Sequence, residues 1–277
     1  MKIKRPGALW FSRRSHALRR AGFTLLEASA VIFIIAILVS LVCAALNNTK
    51  SKALRITCLD NLRQLQHAWW LYAGDNDDAL PLNQTASAPD DPRFPQWKTS
   101  NDSWVAGNPL QDVSADGIRR GTLFAYVGSV GVYHCPMDSS TVPRRADVER
   151  TRSYSMNAYL GGDPELNPTP KYKFTQIARP DNAFVFIEEH ESSRWHSSFL
   201  VPLSAGKGRI SAASSSVWLS TPADRHNLGC NISFADGHVE YWRWYGAKQN
   251  SGTDTHLSGS LSLGESRDLL RLQSCLP

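Results

Sequence analysis

His226, Asp236 and His238 are the residues whose types and spacing most readily suggest chemistry, because imidazole and carboxylate groups gathered at the ends of a hairpin can ligate zinc. They stand in HNLGCNISFADGHVEYWRW, where NISFA and VEYWRW read as two strands and DGH as the tight turn between them. Gly237 supplies the positive φ that such a turn requires. A structural reading of the same residues competes: Asp236 caps its own turn, and His226 bonds to backbone from the preceding loop. A second group, Asp75, Asn76, Asp77 and Asp78, offers oxygens that suit calcium but also reads as solvated acids at a helix end. The third is EEHES at 188–192, where paired carboxylates beside a strand could do acid–base work. No nucleophile or oxyanion loop accompanies them, so they are expected at an exposed strand end. Neither a phosphate-cradling glycine loop nor a Gly-x-Ser-x-Gly elbow occurs in the sequence. The expectation is a protein with no catalytic residues and no cofactor.

The elements that must position these groups begin with charge. The chain carries 30 Lys and Arg against 25 Asp and Glu, a formal net charge of +5. Seven of the basic residues (Lys2, Lys4, Arg5, Arg13, Arg14, Arg19, Arg20) fall within residues 1–22, which hold no acid. The rest of the chain then has 23 basic and 25 acidic residues, so a nucleic-acid-binding surface is not expected. From Phe23 to Leu46 the sequence is apolar, without Gly or Pro, and carries one charge, Glu27. As a helix those residues span about 36 Å, enough to cross a bilayer core of roughly 30 Å. The upstream basic residues favour a cytoplasmic N-terminus and place everything after Leu46 on the other side.

Three readings of this segment compete. It is a plain anchor, a secretory signal cut near VCAAL, or something to which Glu27 matters. The string RRAGFTLLE resembles the processing site of type IV pilin-like proteins, among them the pseudopilins of type II secretion: Gly22 before the cut, Phe23 after it, Glu27 as the fifth mature residue. The resemblance implies that a prepilin peptidase and methylase cuts between Gly22 and Phe23 and methylates the new amine. It also implies that the subunit assembles through its N-terminal helix with other pilin-like subunits. A carboxylate in lipid costs about 2.5–3.5 kcal/mol without a partner. A freed Phe23 amine, or that of a neighbouring subunit, would supply one, making Glu27 a registration charge.

After the apolar run, Leu54, Cys58, Leu62, Leu65, Trp69 and Tyr72 recur at helical spacing. This predicts one helix of about 50 residues ending near Gly74. Residues 1–22 thus read as a leader, 23–46 as the transmembrane and assembly helix, 47–79 as its amphipathic continuation and 80–277 as a head. Within the head, LFAYVGSVGVYHC, AFVFIEEH and NISFADGHVEYWRWY read as strands, and LGESRDLLRLQSCLP as a docking helix. The expected fold is α+β: a long N-terminal helix packed on a small antiparallel sheet, pilin-like. The spacing His-x9-Asp-Gly, at the start of a hairpin over 226–245, is similar to a processing-associated module of prepilin-like proteins. CLDNLRQLQHAWWLYAGDNDDALP, YHCPMD and RSYSMN resemble the same group.

Five cysteines are present. Cys43 lies in the apolar helix, and the other four are expected in an oxidising compartment. Cys58 with Cys135 is the preferred pair, clamping head to helix, with Cys230–Cys275 a second. The resulting picture is a single-pass inner-membrane precursor with a periplasmic or extracellular head. Two rivals remain: an anchored polysaccharide binder using Trp97, Trp104 or Trp195, and an anchored metal hydrolase centred on His226, Asp236 and His238.

Overall fold

The computed structural model describes residues 24–88, 96–143, 145–164, 169–191, 193, 197–203, 217–248 and 261–277. Gly22, Phe23 and Trp195 lie outside the described residues, as does the side chain of Trp97. Two units divide the chain, Met1–Thr49 and Lys50–Pro277.

The described part of the first unit is helical. It belongs to α1, a single α-helix over Leu25–Asp75 that no Pro interrupts and that meets its first Gly only at Gly74. Within it, Leu25–Cys43 has a mean hydropathy of 2.7 and is long and apolar enough to cross a membrane. All its side chains are exposed.

In the second unit, α1 turns one face into a core. Cys58, Leu62, Leu65 and Trp69, spaced by four, three and four, are wholly buried. The helix runs one residue past Gly74 and stops where Asp77 and Asp78 take left-handed backbone, at φ 53° and 68°. The Asp78 amide bonds the Ala73 carbonyl (3.0 Å), and its carboxylate accepts the Thr175 amide (3.0 Å). Asp78 therefore serves the end of the helix, and Asp77 the turn that leaves it.

Two short ribbons flank the path to the main sheet: β1 (Thr85–Ala88) with β2 (Gln96–Thr99), and β3 (Thr141–Val142) with β4 (Arg145–Glu149). Between them lie α2 (Asp116–Arg120) and α3 (Phe124–Val127). The segment LFAYVGSVGVYHC, expected as a strand, is α3 followed by a 3-10 turn over Val130–Tyr133. Gly128 at φ 69° ends α3, and the apolar residues bury Leu123, Val132 and Tyr133 rather than alternate across a sheet.

The main sheet contains β5 (Tyr154–Asn157), β6 (Phe184–Glu188), β7 (Ser198–Phe199), β8 (Gly229–Phe234) and β9 (Val239–Arg243), in the order β7-β5-β6-β8-β9. Four strands are antiparallel, while β7 joins β5 in parallel, so the sheet is mixed rather than wholly antiparallel. One core holds Cys58, Leu62, Leu65 and Trp69 of α1 with Val185 and Phe186 of β6. The other joins Phe184, Ile187, Ile232 and Trp242 to Leu269 and Leu272 of α4 (Leu263–Gln273). β8 shows the alternation directly. Cys230, Ile232 and Phe234 enter the second core, whereas Asn231 and Ser233 bond α1 at the Arg55 carbonyl (3.4 Å) and Gln66 (2.9 Å).

Candidate functional site

At the start of α1, Thr24 and Glu27 form a reciprocal cap. The Thr24 amide and hydroxyl each donate to Glu27 Oε2 (2.9 Å), and the Glu27 amide donates to Thr24 Oγ1 (3.2 Å). This is the Thr-x-x-Glu capping box, which satisfies two amides that a helix start otherwise leaves unbonded. Glu27 thus already has a local partner, a role that the sequence reading did not assign to it.

A second polar site lies at the end of β6. Glu188, Glu189 and His190 were expected at an exposed strand end, yet all three are buried, the two glutamates to within 1%. The strand is central, so its end is covered by whatever follows its neighbours. Glu188 Oε1 accepts the Asn231 side-chain amide (3.0 Å) and lies 3.0 Å from His226 Nε2, with both members of that pair fully enclosed. The same imidazole nitrogen is 3.4 Å from Cys135 Sγ, whose disulfide to Cys58 ties α1 to the segment before β3. Cys230 and Cys275, the second pair considered, are both free thiols buried against the second core.

Glu189 receives the Ser155 and Ser193 hydroxyls. Burial pushes its carboxyl above the ordinary range, against those two bonds and the Arg150 charge. Asp138 lies under the same surface. It accepts the Ser153 hydroxyl (2.6 Å) and the Ser140 amide (3.1 Å), with Arg225 at 3.5 Å. Burial raises its carboxyl, but Arg225, Arg150 and the two serines overcome that and hold it at about 2. Asp138, Ser140, His190, Glu191, Asp224 and Arg225 open onto a polar cleft of about 230 Å³. The cleft presents hydrogen-bond donors and acceptors, among them the Ser139 and Ser140 hydroxyls.

His226, Asp236 and His238 do not form one site. His226 precedes β8 and faces Glu188, whereas Asp236 follows β8, about 20 Å along the strand. There Asp236 Oδ1 accepts the His238 amide (3.2 Å) and contacts its ring at 2.5 Å, closing the turn. Gly237 has φ 99°, and a Cβ there would meet the Trp70 ring at 2.4 Å. Trp70 in turn donates its indole N–H to the Ala235 carbonyl (2.8 Å). The two ends of His-x9-Asp-Gly therefore do separate work: His226 binds the β6 end and the disulfide, and Asp236-Gly237 seats the hairpin on α1.

A metal-capable set does occur elsewhere among the described residues: donor atoms of Cys58, Cys135, Glu188 and His226 lie within 4.8 Å of one another. With the disulfide closed, neither sulfur is a thiolate, and only the histidine and glutamate can donate. Trp104, considered for sugar binding, is fully buried, bonding Asn83 (3.2 Å) and the Ser197 carbonyl (3.1 Å). The buried charge layer escaped the sequence reading. Its one local signal is that EEH directly continues FVFI, a run apolar on both faces and hence of a central strand. No protein-family model, curated protein or solved structure matches this chain.

Proposed function

We propose that the chain is a pilin-like structural subunit of a type IV pilus or a type II secretion pseudopilus. A prepilin peptidase cuts it after Gly22, and it assembles through α1 with the head outside the inner membrane. One observation carries this reading: a basic leader, Gly22-Phe23 and a lone Glu27 open an unbroken apolar helix. The exposed apolar flank of Leu25–Cys43 supports it, since packing against lipid or like helices would bury that surface. Cleavage frees an amine at Phe23, one residue before Thr24 and four before Glu27 in the sequence. The carboxylate then has two tasks, capping its own helix and meeting the amine of a neighbouring subunit.

Substitution separates the two tasks. Glu27→Gln keeps a side chain able to complete the capping box but removes the charge. The variant should insert and be cut like the wild type, yet fail to enter filaments in a shear-fraction or cross-linking assay. Normal incorporation of Glu27→Gln would reduce Glu27 to a cap and remove registration from the proposal.

The cleft bordered by Asp138, Glu191, Asp224 and Arg225 favours a second reading, an anchored head that binds a polar ligand such as a polysaccharide. Glycan binding by a strictly monomeric protein would support it over the filament.

A further inference from the structure

Lys248 and Asp268 meet beside the second core, away from the polar layer at the end of β6. Lys248 follows β9, and Asp268 sits on the buried face of α4. Their side chains are completely enclosed, with Nζ 2.6 Å from Oδ2. The rings of Trp244 and Trp218 flank the amine at 4.5 and 4.9 Å from their centroids. The Tyr245 amide donates to Asp268 Oδ1 (3.0 Å) and Oδ2 (3.1 Å), and the Gly246 amide donates to Oδ2 (3.1 Å). An amine and a carboxyl group are thus held in contact, enclosed beside two indole rings, with backbone N–H groups on the carboxyl oxygens.

We propose that Lys248 and Asp268 condense to an intramolecular isopeptide bond. The ammonium passes one proton to Asp268 Oδ2, which leaves a neutral amine and a neutral acid. Nζ attacks Cγ, and the Tyr245 N–H stabilises the charge that develops on Oδ1. Oδ2 departs as water, taking the transferred proton and a second one from nitrogen. The C–O bond breaks, the C–N bond forms, and nothing is oxidised or reduced.

Three features favour the step. Burial pushes the Lys248 amine down, toward the neutral nucleophile, against the pull of Asp268 and of Glu265, a second buried carboxylate. A buried ion pair is a weak net stabiliser because its members lose their hydration, so replacing it by an uncharged amide forfeits little. Finally, holding the amine and the carboxyl group together makes the condensation intramolecular, and well-oriented intramolecular reactions reach effective molarities of about 10⁵–10⁸ M. The product would fasten α4 covalently to the end of the β8–β9 hairpin, independently of whether the protein assembles into filaments.

Peptide mapping and intact mass of the purified full-length protein, reduced and denatured, test the proposal. The expected result is a chain one water lighter than the mass calculated for the N-terminus it is found to carry, with a branched peptide joining Lys248 to Asp268. Lys248→Arg keeps the ion pair but cannot form this amide, and should restore the full mass. A wild-type chain of full mass overturns the proposal and leaves an ordinary ion pair. A lighter chain yielding only linear peptides, as an aspartyl succinimide would, overturns it equally.

Discussion

At the residue scale, the molecule places its charges where local sequence gives little warning. Asp138 is the clearest case. Its carboxyl is held at about 2, below its ordinary 3.8, because Arg225, Arg150 and two serine hydroxyls outweigh the cost of burial. Since the folded-state value is the lower one, the stabilisation is complete above the ordinary carboxylate range and is lost as pH falls from about 4 through about 2. A depression of this size contributes about 2 kcal/mol near neutral pH. Asp138→Asn should lower stability at pH 7 by about that amount and flatten the acid limb of the unfolding curve. Denaturant titrations at pH 7 and pH 3 check this. An unchanged difference between the two pH values would contradict it. The Glu188–His226 pair belongs to the same layer: Glu188 Oε2 and His226 Nδ1 lack partners among the described residues, so its worth lies more in fixing the β6 end than in net energy.

At the element scale, the β8–β9 hairpin depends on one glycine. Gly237 needs a left-handed backbone, and its missing side chain admits the Trp70 ring. Gly237→Ala should destabilise the head by more than about 1 kcal/mol, read as a lower denaturant midpoint. Adding Trp70→Ala would relieve the contact but not the backbone strain. A Gly237→Ala midpoint equal to that of the wild type would contradict this account of the turn.

The hairpin, β6 and α1 were legible in the sequence because each carries a marked local signal: DGH for the turn, the continuous apolar run FVFI for the central strand, over fifty residues without proline for the helix. LFAYVGSVGVYHC was misread because its apolar residues resemble a strand's, while Gly128 and the following turn set the backbone. The buried layer was invisible for another reason. Glu188, Ser153, His226 and Asn231 come together only after β5, β6 and β8 pair, and no local pattern records those partners.

At the scale of the whole molecule, the charge is divided sharply, with seven basic residues and no acid before Phe23 and a near balance after it. One apolar helix follows, able to span a membrane by length and composition. On the proposed reading, the positive charge before this helix keeps the N-terminus cytoplasmic, and the Cys58–Cys135 disulfide lies in an oxidising space on the other side. In this account the helix changes role on processing, from anchor to building unit, through the amine that the cut exposes near Glu27. N-terminal sequencing combined with intact mass of the protein isolated from its own membranes examines that step. The account predicts a chain that lacks residues 1–22 and begins with a methylated Phe23. A chain that begins at Met1, or one that starts beyond the apolar run near residue 45, would contradict it.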